Sequence, residues 1–193
     1  MTDEKRFAQL VSLACHDLRT PLATVFGFAR TLGKSELEPP VDRYVEMIEA
    51  ASIQLGDLLD ELALLARIEA GRYEPRLTPV DSLELAQAAA SELEEGRVQV
   101  EGEGAPVQVP EEQMTRALSQ FARAASRHGG FESVSFSVDG DTLRLSPLTR
   151  MSAQVLLGEE LRDLGAVAAT ALVRALGGSV AADEDALVVE LPT

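Results

Sequence analysis

The residues best equipped for chemistry stand together in one heptapeptide, His16-Asp17-Leu18-Arg19-Thr20-Pro21-Leu22. A neutral imidazole has one ring nitrogen with a free lone pair, able to attack phosphorus, while the other carries a proton. Asp17 is adjacent and can hold that N–H, fixing the tautomer and stabilising the cation that forms as the free nitrogen is phosphorylated. Arg19 offers a planar fork for phosphate oxygens. Thr20, one turn beyond His16, can orient a water toward a phosphoryl group, which would give hydrolysis instead of transfer. Taken alone, an exposed helical histidine is ordinary solvated surface. The whole string around His16 points to phosphoryl chemistry.

Such a site needs a rigid carrier, and the flanking sequence provides one. From about residue 3 to 33 the apolar residues Phe7, Val11, Ala14, Leu18, Leu22, Val25, Ala29 and Leu32 recur at steps of three and four, the seam of a helix. His16 is two residues from both Ala14 and Leu18, so it projects about 200° from each, away from the seam. Pro21 removes a backbone donor, which predicts a kink or local unwinding just after the motif. The polar break GKSELEPP ends this helix, and Pro39 and Pro40 suit the first turn of the next. There Val41, Val45, Ile48, Ser52, Leu55, Leu59, Leu62 and Ala66 keep a four-three alternation, widened by Tyr44, Ala51, Leu58 and Leu65, up to a stop at Gly71. Two helices of about 45 Å cannot bury such wide stripes against each other alone. Two copies of the hairpin can, as a four-helix bundle, so the pattern predicts a homodimer. The competing arrangement packs both stripes onto the second half of the same chain.

Beyond Gly71 the texture changes. RYEPRLTPVDS reads as a proline-punctuated linker or edge strand, and a second domain, residues 77–193, follows the hairpin of residues 1–73. Asp81 or Ser82 can cap a helix through about Glu94, and RVQVEG alternates as a strand. Residues 111–128 look helical. FESVSFSV and TLRLSP flank Asp139-Gly140-Asp141, a hairpin signal, because the turn wants residues that tolerate positive φ. A helix from about Leu164 to Leu176 closes at Gly177-Gly178, and SVAAD with ALVVELP forms a last pair of strands. The predicted class is α+β: an antiparallel helical hairpin forming a dimeric four-helix bundle, then an α/β sandwich with helices on one face of a mostly antiparallel sheet.

Composition narrows the partners. Among 193 residues, 32 are acidic and 17 basic, for a formal charge of −15. That balance argues against binding nucleic acid or an anionic membrane through a broad basic surface. No stretch approaches the roughly 20 apolar residues of a membrane span, and the opening MTDEKRFAQL is charged, so a cytoplasmic location is expected. With two histidines and one cysteine no metal cluster is expected, and Cys15 cannot form an internal disulfide. Cys15 reads as a small buried residue, with a redox role beside His16 as the alternative.

FAQLVSLACHDLRTPLATVFGFARTL resembles the phosphoacceptor segment of bacterial two-component histidine kinases, whose H box reads H-[ED]-x-R-[TS]-P-L. DLLDELALLARIEAGRYEP is similar to the second helix of that family's dimerisation and phosphotransfer domain, and VDSLELAQAA to the entry of its ATP-binding domain. The resemblance implies that His16 is the phosphorylated residue, that Asp17 assists as base, that Thr20 serves a phosphatase reaction, and that Arg19 contacts phosphate or partner. Its expected partners are a second copy of the chain and response-regulator receiver domains, a hybrid kinase's receiver included.

The second domain resembles the family's GHKL-type (Bergerat-like) ATPase domain in outline only. In QMTRALSQFARAASRHGG the asparagine that holds magnesium is replaced by Ala124, and the other usual asparagine position by Gln120. An alanine methyl cannot ligate Mg²⁺. No aspartate or glycine occurs between Thr142 and Leu157, where the family reads adenine, and DLGAVAATALVRALGGSV keeps only Gly165 of the phosphate-cradling turn. The expectation is a histidine phosphotransferase without ATP or any other cofactor, its magnesium supplied by the receiver. Because the sequence opens at Met1 close to the bundle, no sensor domain is expected. The alternatives are a phosphatase or altered kinase, a regulator without phosphoryl chemistry, and an active autokinase.

Overall fold

The computed structural model describes residues 3–34 and 38–193, and the chain divides into two compact units, Met1–Tyr73 and Glu74–Thr193. Residues 35–37 of the GKSELEPP break, and the side chain of Phe7 from the predicted seam, lie outside what is described.

The first unit is a hairpin of α1, Asp3–Leu32, and α2, Val41–Glu69. Gly33 lies against Val45, Leu22 against Gly56, and Arg19 pairs with Asp60, so the helices run antiparallel. The wide apolar stripes are divided between two duties. Cys15, Leu22, Phe26 and Ala29 of α1, with Val45, Ser52, Leu59 and Ala66 of α2, are among the buried or half-buried positions of the hairpin. Leu18, Val25 and Leu32 of α1, and Tyr44, Ile48, Leu55, Leu58 and Leu62 of α2, stay exposed. At about 100° per residue both sets fall on the same side of the hairpin, leaving one continuous apolar face.

Two local expectations need correction. Helix α1 continues across Pro21, so no unwinding occurs there. The proline forfeits only the bond its N–H would have made to the Asp17 carbonyl, and packing along α2 holds the flanking turns. Pro39 and Pro40 also precede α2 instead of forming its first turn, with Pro40 as the N-cap residue.

The second unit contains β1 (Thr78–Asp81), α3 (Ser82–Ser91), β2 (Val98–Gly104), β3 (Pro106–Val109), α4 (Glu111–Gly129), β4 (Val134–Gly140), β5 (Thr142–Ser146), α5 (Arg150–Leu156), α6 (Leu164–Ala175), β6 (Ser179–Asp183) and β7 (Ala186–Glu190). Five strands form one sheet in the order β2-β4-β5-β7-β6. Three of its pairings are antiparallel and β2–β4 is parallel, because α3 and α4 intervene as a crossover. Strands β1 and β3 make a small antiparallel sheet of their own. Along β4, Val134, Phe136 and Val138 are buried while Ser137 and Asp139 are exposed. One sheet face therefore meets the helical layer, whose core includes Met114, Leu118 and Phe121 of α4 and Leu172 of α6.

Local chemistry explains the turns. Asp81 caps α3 by accepting from the Leu83 and Glu84 amides, and the helix stops at Ser91, three residues before the predicted end. The β4–β5 hairpin turns at Gly140, whose φ of +62° a side chain would resist.

Candidate functional site

Helix α1 brings the four predicted site residues into one place. The His16 side chain is 76% exposed, and Leu18, Val25 and Leu32 lie about 160–200° from it around the helix, so the imidazole points away from the apolar face. His16 Nδ1 is 3.1 Å from Asp17 Oδ1. An ionised carboxylate only accepts, so this contact favours the tautomer with the proton on Nδ1 and leaves the Nε2 lone pair directed outward. Thr20 follows about 40° around the helix from His16, and Arg19 about 60° in the other sense, toward α2. His16, Arg19, Thr20, Ala23 and Thr24 line a surface concavity of about 540 Å³. Arg19 does not reach across it unheld. Its Nη2 donates to Asp60 Oδ1 of α2 at 2.5 Å. Asp60, absent from the expected site residues, is thus brought to the motif by the hairpin.

Cys15 is buried, and that burial pushes its thiol pKa up. A thiol held neutral is a poor nucleophile, which agrees with a packing role. Among the described residues no group of three or more His, Cys, Asp or Glu is placed to hold a metal, and no helix is long and apolar enough to cross a membrane.

Residues 8–71 match the model of the His Kinase A (phospho-acceptor) domain family. Histidine protein kinase DivJ of Caulobacter vibrioides is 31% identical over 121 residues, which cover 59% of this chain and 20% of that protein. Sensor histidine kinase TrcS of Mycobacterium tuberculosis is 37% identical over 68 residues, 34% of this chain and 13% of that protein. The matched stretches thus span a fifth or less of these relatives' own length. Among solved structures, full-length ShkA in complex with AMPPNP superposes with a TM-score of 0.70 at 22% identity, covering 95% of this chain and 45% of that one. Histidine kinase AdeS of Acinetobacter baumannii follows with a TM-score of 0.56 at 16% identity, covering 92% and 97%. The chain is histidine kinase-like.

In this histidine kinase-like chain Gln120 and Ala124 of α4 and Gly165 of α6, singled out in the sequence, lie on two helices that pack against each other. Ala124 is fully buried. A Cβ on Gly165 would come within 2.7 Å of the Gln120 amide, so the space over that glycine is filled by the Gln120 side chain. At the N-terminus of α6, Asp163 acts as the cap and accepts from the Ala166 amide at 3.1 Å. Its other oxygen lies 2.9 Å from Arg127 Nη1 and 3.1 Å from His128 Nε2, both at the end of α4. The Asp163 side chain is 6% exposed. The partial positive charge of the helix end and the two α4 side chains therefore already face a carboxylate from within the chain. Replacing Asp163 by alanine strands these donors, and is expected to destabilise the second unit by about 1–3 kcal/mol, read as a lower denaturant midpoint.

Sequence reasoning singled out Gly165 but not Asp163, Arg127 or His128. The signal was present as an Asp immediately before a helix start. Its two partners are 36 and 35 residues away in the chain and invisible to local patterning.

Proposed function

We infer that the chain is a histidine phosphotransferase of a two-component phosphorelay, carrying a phosphoryl group on His16 between receiver-domain aspartates without using ATP. The observation that carries this reading is the outward Nε2 of His16 with Nδ1 held by Asp17. The Nε2 lone pair attacks the phosphorus of a receiver's aspartyl phosphate, the bond from phosphorus to the carboxylate oxygen breaks, and the electron pair leaves with that carboxylate. Asp17 stabilises the imidazolium character that develops on the ring. The reverse step returns the group to another receiver. Magnesium comes with the receiver's own acidic pocket. Two copies of the hairpin cover each other's apolar faces as a four-helix bundle.

What supports independence from ATP is the donor set between α4 and α6. A magnesium triphosphate needs hard oxygen ligands and backbone amides open to phosphate. The residues there offer the buried methyl of Ala124, a glycine covered by Gln120, and a helix end already facing Asp163. They do not fit the group. Thr20, lining the same concavity as His16, favours a second reading in which the site removes phosphate from the regulator.

One experiment separates these activities. The full chain is incubated with labelled ATP and magnesium, or with a panel of receiver domains phosphorylated by labelled acetyl phosphate. Capture of label from a receiver and none from ATP is expected. Label from ATP alone would make the chain an autokinase, and loss of receiver label without capture would make it a phosphatase.

A further inference from the structure

We propose that Asp60 is a positioning residue for phosphoryl transfer at His16, acting through Arg19. The inference rests on His16 being the phosphoacceptor. Arg19 lies one turn beyond His16 and is offset toward α2, where Asp60 Oδ1 accepts from its Nη2 at 2.5 Å. Arginine carries five N–H donors in one plane, so a carboxylate at one end of the fork fixes the direction of the rest. Arg19 also lines the concavity that it shares with His16 and Thr20. A phosphoryl group arriving at Nε2 brings negatively charged oxygens into this concavity. A pre-aimed guanidinium meets them without first losing the freedom of a long, half-exposed side chain.

Stability alone gives little reason for the contact. Both side chains are about half exposed, and ion pairs of this kind contribute little to folding. Their placement on the same side of the hairpin as His16, opposite the apolar face, is what assigns the pair to the site. Two helices 41 residues apart in sequence at this point are thereby joined at the reacting group.

The test uses phosphoramidate as a donor that needs no receiver. His16 Nε2 attacks its phosphorus, the P–N bond breaks, and ammonia leaves with a proton. The rate at which the full chain gains phosphohistidine is followed by ³¹P NMR. Asp60→Ala is expected to slow the gain roughly tenfold, and Asp60→Glu to keep most of it. Arg19→Ala should slow it by a similar factor, and the double variant Arg19→Ala/Asp60→Ala no further, with melting temperatures unchanged throughout. Asp60→Asn, which keeps the shape and removes the charge, gives the same comparison if the alanine variant melts early. A rate unchanged or raised by loss of Asp60, or slowed additively with loss of Arg19, overturns the proposal and leaves His16 as acceptor. A wild-type chain that gains no phosphohistidine overturns the reading of His16 itself.

Discussion

Replacing His16 by alanine is expected to reduce phosphoryl capture by at least about a thousandfold, to background, while the chain keeps its fold and its oligomeric state. The loss should be nearly complete because no other group in the concavity can take the nucleophile's place. Arg19 is a cation paired to Asp60, and the Thr24 hydroxyl donates to the Thr20 carbonyl. Cys15, the adjacent potential nucleophile, is buried with its thiol held neutral. The fold should survive because the His16 side chain is mostly solvated and alanine is the better helix former. Only the contact to Asp17 is lost, and it is exposed. The check is labelled capture from a phosphorylated receiver beside circular dichroism and light scattering. A variant that still takes label would move the acceptor elsewhere, and one that unfolds would mean that the imidazole is not on the solvated side of α1.

Much of this site is legible in the sequence because its parts lie within one helical turn and a half. His16, Asp17, Arg19 and Thr20 are placed relative to one another by helix geometry alone, and the three-four spacing of Leu18, Leu22, Val25 and Ala29 announces the helix. The same spacing could not say which apolar residues meet α2 and which stay exposed. Leu22 and Leu18 differ by one turn and a little rotation, yet one is half-buried and the other 54% exposed. Elements held by short-range capping or distant pairing were harder. Helix α5 has seven residues, too few to show a period, and is secured by reciprocal Thr149 and Ser152 bonds. Strand β3 is four residues bounded by prolines, recognisable only from its pairing with β1. The parallel register of β2 on β4 likewise depends on where α3 and α4 carry the chain. Asp60 and Asp163 share one reason for having been missed: each pairs with an arginine more than thirty residues away in the chain.

The second large effect is expected at the apolar face. Leu55→Glu/Leu58→Glu should convert a dimeric chain to monomers, raising the dissociation constant by more than about a thousandfold, while the second unit keeps its own core. Leu55 and Leu58 are exposed in the single chain, beside Tyr44, Ile48 and Leu62 and on the same side as Leu18, Val25 and Leu32. An exposed apolar face on a hairpin fits an interface between copies, and a two-fold axis would present every substitution twice. Four leucines leave the seam, each worth about 1.5–3 kcal/mol when fully buried, and four carboxylates take their place in a desolvated environment. The four leucines alone sum to about 6–12 kcal/mol, which already exceeds the roughly 4 kcal/mol of a thousandfold change. Because the exchanged residues lie on the side of the hairpin away from His16, the variant should still acquire phosphate from phosphoramidate. Sedimentation of wild type and variant over a range of concentrations decides it. A wild-type chain that sediments as a monomer at tens of micromolar, or a variant that remains dimeric, would mean that something other than a second hairpin covers these leucines.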